Sequence, residues 1–198
     1  MKFFIVGAQG TGKRELLDIL QQDHPEIRIA KLFSNVNPEQ KGLYRNINDY
    51  MPYNEADIRL MFENNAYLFM KEIDEISYDI YEGVSLFEFN NSDIVMLTPD
   101  EMVRIPSQSI NEEICFIWLD NNTKNRFNRY KSDKPNYSFQ QREATEKLCM
   151  NDFVTNIYSF PNSKLIYFYN EEPSRVSAIL YALYKDNSLV DEFSKKFN

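Results

Sequence analysis

Short runs of apolar, β-branched and aromatic residues alternate along this chain with longer stretches whose apolar positions recur every three to four residues. That is the pattern of strands in a mostly parallel sheet, each followed by a covering helix. The apolar runs predict strands at residues 2–6, 27–32, 93–97, 114–119 and 165–169. Helical period predicts helices at 13–22, 55–64, 123–130, 139–158 and 174–184, and a short one at 189–197. Between residues 43 and 91 the pattern changes. A helix is followed there by two aromatic-rich alternating stretches, 67–73 and 78–89, which read as antiparallel strands of an inserted subdomain. A second insertion-like piece, 131–137 with Lys131, Lys134 and Pro135, lies between two helices and reads as a flap. Both pieces also fit ordinary surface loop and edge structure.

Composition narrows the possibilities. With 198 residues, 43% hydrophobic and 15% aromatic, the chain fits one domain with a real core and excludes a disordered or fibrous protein. Thirty acidic against 22 basic residues, a formal charge of -8, give an average field that repels nucleic acid and anionic lipid. Any nucleotide must therefore be held by a local basic site. Cys115 and Cys149 lie far apart with no Cys/His cluster, so neither a disulfide framework nor a structural zinc site is indicated, and a reducing cytoplasm is expected. The apolar run at residues 3–6 is too short for a signal segment, and no stretch reaches the roughly 20 apolar residues of a membrane helix.

One local signal is sharp. Gly7-Ala8-Gln9-Gly10-Thr11-Gly12-Lys13 follows the first predicted strand and precedes a helix, and holds three of the five glycines. This is the place and spacing of a Walker A loop, in which bare backbone N–H groups, a helix N-terminus and a lysine ammonium converge on polyphosphate. Gly7, Gly10, Thr11, Gly12, Lys13 and Arg14 are the candidate phosphate-binding residues. A glycine-rich turn with a surface lysine is the alternative. Arg14 stands where the motif has a Ser or Thr hydroxyl for magnesium, which leaves metal use open. Glu15 offers an indirect ligand or a partner for the helix dipole. His24 fits a helix C-terminus better than a catalytic base.

With that loop in place, the chain resembles the guanylate kinase family of P-loop nucleoside monophosphate kinases over nearly its whole length. The stretch GAQGTGKRELLDILQQDHPEIRIAKLFS, residues 7–34, is similar to the family's GPSGAGKSTLL opening and the strand after it. DYMPYNEADIRLMFENNAYLF, residues 49–69, is similar to its acceptor-binding segment, and Ser138-Phe139-Gln140-Gln141-Arg142 to its S-x-x-x-R. The resemblance implies a P-loop NTPase-type parallel sheet covered by helices, with core 1–33 and 92–198, an inserted acceptor-binding subdomain at about 34–91 and a short lid at about 126–138. It implies ATP as phosphoryl donor. It places Lys13, Arg126 and Arg142 on the transferring phosphoryl group, with Arg129 and Lys131 as alternatives for a second flap position. Ser34, Lys41, Arg45, Tyr50, Phe69 and Tyr78 fall at or near acceptor-binding positions.

Several residues depart from the family's pattern. Pro38 replaces a phosphate-binding arginine, Phe69 a base-reading glutamate, and Ile80 an assisting hydroxyl. Thr98-Pro99-Asp100-Glu101 stands where the family has an aspartate and a Gln-Gly pair, so that Asp100 either recovers the carboxylate or starts a helix. Two readings stay open: a nucleoside monophosphate kinase with altered or relaxed base selectivity, and a catalytically silent guanylate-kinase-like binding module. Fold does not choose between them.

Overall fold

A computed structural model describes residues 1–35, 50–75, 78–133 and 139–197. At its centre is β1 (Lys2–Val6), all five residues of which are buried. It pairs in parallel with β6 (Ile94–Leu97) on one side, and on the other with β7 (Ile114–Asp120), beyond which lies β8 (Lys164–Tyr169). The order is β6-β1-β7-β8. A parallel strand is apolar on both faces because helices or other layers cover both, and β1 shows how the two are used. Phe3 and Ile5 join Leu16, Leu17 and Leu20 of α1 (Lys13–Asp23) and Val176, Leu180 and Leu183 of α7 (Pro173–Lys185). Phe4 and Val6 face the opposite layer, with Phe153 of α6 (Phe139–Asn156) and with Leu68, Phe69 and Val84. The chain closes with α8 (Leu189–Phe197), whose Val190 enters the first of these cores.

The second sheet has the order β3-β2-β5-β4. Its strands are β2 (Leu32–Ser34), β3 (Tyr50–Pro52), β4 (Tyr67–Glu75) and β5 (Tyr78–Ser85), and α2 (Glu55–Glu63) lies between β3 and β4. β2 runs parallel to β3 and antiparallel to β5, and β5 is antiparallel to β4, as alternation at 67–73 and 78–89 predicts. Gly83 permits the close approach of β4, since a Cβ there would collide with the Phe69 carbonyl.

Two expectations are corrected. Residues 27–32 do not form a fifth strand of the parallel sheet: only Ile29 bridges to Ile94. Ala30 N–H still reaches the Ile94 carbonyl at 2.8 Å, but the Lys31 amide donates instead to Glu88 Oε2 at 3.0 Å. The ladder stops there, and the chain crosses to the second sheet. The strand expected over 78–89 ends at Ser85, because the Ser85 hydroxyl accepts from Glu88 N–H at 3.1 Å and starts α3 (Leu86–Asn91). A serine three residues before a glutamate is a helix-start signal that outweighs the aromatic alternation.

Candidate functional site

The site is built where β1 ends. The chain turns through residues 7–12 and enters α1 at Gly12. Gly10 (φ 79°) and Gly12 (φ 92°) are left-handed, a conformation that a side chain disfavours. Each also admits a neighbour. A Cβ on Gly10 would lie 2.6 Å from the Arg126 carbonyl oxygen, and one on Gly12 would lie 2.5 Å from Arg129 Nη1. Gly12 is the N-cap of α1 and makes no side-chain cap hydrogen bond. The Thr11 hydroxyl donates to the Ala8 carbonyl at 2.8 Å. Lys13 is buried and folds back over the loop, donating to the Gly7 carbonyl and, at 3.0 Å, to that of Ala8.

Across the loop lies α5 (Thr123–Asp133), which starts after β7 with Asn122 Oδ1 accepting from Asn125 N–H at 2.9 Å. Arg126 and Arg129, three apart on one face, both reach the loop. Arg126 is 6% exposed; its Nε donates to the Gln9 carbonyl at 3.1 Å and its Nη2 to Glu146 Oε2 at 2.7 Å. Glu143 Oε1 lies 3.8 Å from Nη1, and the Phe139 ring 5.7 Å from the guanidinium carbon. The Gln9 amide in turn donates to Glu146 Oε1 at 2.8 Å. Arg129 Nη2 lies 3.5 Å from Glu15 Oε2, which gives Glu15 a side-chain partner across the loop. Arg14 runs along the surface of α1 to Asp18, 2.8 Å from its Oδ1. Each of these three arginines thus meets a carboxylate.

In the second sheet, Ser34 is buried at the end of β2, and Tyr50 and Phe69 are buried in the core cluster that includes Phe4 and Val6. Phe69 is 1% exposed, so the position is packed interior. At the end of β6, α4 (Pro99–Met102) places Asp100 in its first turn. The buried carboxylate there is Glu101, whose Oε2 accepts from Thr98 N–H at 2.9 Å. Its Oε1 lies 2.5 Å from Lys71 Nζ, and the Lys71 ammonium is also 3.4 Å from Glu82 Oε1. This cluster joins β4 and β5 to the end of β6. Lys41, Arg45 and Pro38 lie outside the described residues. Tyr78 and Ile80 are on β5 and Arg142 on α6, with side chains outside the described set. His24 ends α1 with its ring stacked on Tyr181 at 3.4 Å.

Beside the loop is a small pocket in which Thr11 and Gly12 face Asp120, Glu171 and Pro173. Asp120 Oδ2 accepts from the Tyr167 hydroxyl at 2.9 Å, and burial followed by that bond pushes the phenol up to about 12.

No protein-family model matches this chain, and no curated protein matches it. Among solved structures it is similar to guanylate kinase from Anaplasma phagocytophilum, at 8% identity and a TM-score of 0.45, over 94% of this chain and 85% of that one. At that distance the likeness assigns no residue a role. The fold stands on the parallel sheet itself, and no helix among the described residues is long and apolar enough to cross a membrane.

Glu146, Glu143 and Lys71 were not among the residues the sequence singled out, and Glu101 was named there only within Thr98-Pro99-Asp100-Glu101. For Glu146 a signal existed: it lies seven residues from both Phe139 and Phe153, on the buried stripe of α6.

Proposed function

We propose that this chain is a nucleoside monophosphate kinase of the guanylate-kinase-like type, with residues 7–13 holding the phosphates of ATP and with altered or relaxed selectivity for the acceptor base. The observation that carries the reading is the left-handed pair Gly10 and Gly12 at the mouth of the central strand, with Lys13 folded over the loop. Oriented backbone amides, a helix N-terminus and a buried ammonium form an anion site suited to polyphosphate. In the reaction an acceptor phosphate oxygen bonds to the γ-phosphorus as the bond to the β-phosphate oxygen breaks, releasing ADP. No covalent residue is needed; positioning and charge neutralisation carry such a step, and Lys13, Arg126 and Arg142 are assigned to it. The 34–91 subdomain would supply the acceptor site, through Ser34, Lys41, Arg45, Tyr50 and Tyr78, and the 126–138 segment the lid that excludes water.

The loop does not fit a directly bound magnesium ion. Arg14 replaces the hydroxyl and pairs with Asp18, so no step is derived through the metal. A second reading, a binding module without catalysis, is favoured by the burial of Tyr50 and Phe69 in the core. Calorimetric titration with ATP, followed by a coupled assay across the common monophosphates, separates the two. Binding lost in Lys13→Ala together with transfer to a non-guanine acceptor supports the kinase. Binding without transfer to any monophosphate supports the module, and absence of ATP binding removes the kinase.

A further inference from the structure

Resting on the reading of residues 7–13 as a phosphate site, we infer that Glu146 is an internal stand-in for phosphate, holding the loop and Arg126 until a nucleotide displaces it. Its two carboxylate oxygens divide the work. Oε1 takes the Gln9 amide at 2.8 Å and Oε2 takes Arg126 Nη2 at 2.7 Å, while Arg126 Nε returns to the Gln9 carbonyl at 3.1 Å. The loop, α5 and α6 are thereby joined in one polar ring.

The donors in that ring are of the kind a phosphoryl oxygen takes: a backbone N–H of the glycine loop and an arginine. A glutamate that is only 2% exposed is costly to keep there unless it is paired. Here it is paired with the loop's own anion-binding groups. The backbone of α5 is also seated on the loop, because Gly10 offers no Cβ between them. A polyphosphate that uses the Gln9 amide and Arg126 must take both from Glu146. Apparent affinity is then reduced by the fraction of molecules in which the carboxylate has left.

The test compares the unaltered protein with Glu146→Gln, in full-length form, by calorimetric titration with inorganic tripolyphosphate and with ATP. A glutamine has one acceptor oxygen for two donors, and whichever donor it satisfies, its NH₂ faces the other. The expected result is binding of tripolyphosphate at least tenfold tighter in Glu146→Gln, abolished in both backgrounds by Lys13→Ala. Equal affinity in parent and variant overturns the role of Glu146 and leaves the loop as a phosphate site. Failure of both proteins to bind either ligand overturns the loop reading, and this inference with it. If the variant does not fold, hydrogen exchange on the unaltered protein decides. Tripolyphosphate should speed exchange in α6 around Glu146, and binding with unchanged or slower exchange there overturns the inference.

Discussion

Replacing Lys71 by methionine tests how the second sheet is held to the first. The ammonium sits between Glu82 and Glu101, at 3.4 and 2.5 Å, and the three side chains are 11%, 4% and 1% exposed. Methionine keeps most of the length and removes the charge, leaving two carboxylates buried without their cation. Breaking a buried pair in this way costs about 3–5 kcal/mol, a large part of the roughly 5–15 kcal/mol that holds a domain folded. Glu82 can be removed along with the lysine, because Glu101 still has the Thr98 amide as donor. The double variant Lys71→Met, Glu82→Leu should therefore recover part of the loss. Urea unfolding followed through Trp118, the single tryptophan, reports on the main sheet, where its ring stands edge-on to Phe153. A loss below about 1 kcal/mol with unchanged denaturant slope would show the cluster to be screened like a surface pair and refute the reasoning.

Other outcomes follow from the same geometry. Phe69→Glu should destabilise the protein by several kcal/mol, because it buries an unpaired charge; a variant with an unchanged urea midpoint would contradict the core placement. Gly10→Val places a branched side chain at φ 79° against the Arg126 backbone. It should cost about 1–2 kcal/mol in backbone conformation alone, and ATP affinity, measured by titration, should fall with it. Burial, with the Glu113 charge beside it, pushes the Cys115 thiol from 9.0 up to about 12, and Tyr167 is pushed from 10.0 up to about 12. The unfolded chain releases these protons at lower pH than the folded protein, so stability is full below pH 9 and falls as pH rises toward 12. Cys115→Ala should flatten that alkaline decline in urea midpoints, and an unchanged decline would exclude the thiol as a source.

The elements most legible in the sequence are those whose partners are local or generic. Residues 2–6 needed only to be apolar on both faces, and the glycine loop carries its own punctuation, so β1 and the start of α1 lie where the pattern puts them. Residues 27–32 misled because one side-chain bond, from the Lys31 amide to Glu88, decides where the ladder ends. No periodicity reports such a contact between residues 57 apart. The ring at the loop was hidden for the same reason, since Gln9 and Glu146 are separated by 137 positions. Arg126 and Arg129 could be placed on one face from their spacing, but the carboxylates that meet them belong to α6 and α1.

The packing around the glycine loop and that of the second sheet differ in what a ligand would have to replace. Around residues 7–13 the closure is polar: Arg126, Gln9 and Glu146 exchange hydrogen bonds. An incoming phosphate can replace one anion by another with little change in the number of bonds, so the net cost is the difference between two similar, charge-assisted terms. In the second sheet the packing at Tyr50 and Phe69 is apolar. Opening a pocket at Tyr50 and Phe69 returns buried side chains to water, at about 1.5–3 kcal/mol for a side chain the size of phenylalanine, and a guanine edge would find no polar partner on Phe69 to offset that loss. Ligand-dependent movement is therefore concentrated in α5 and α6.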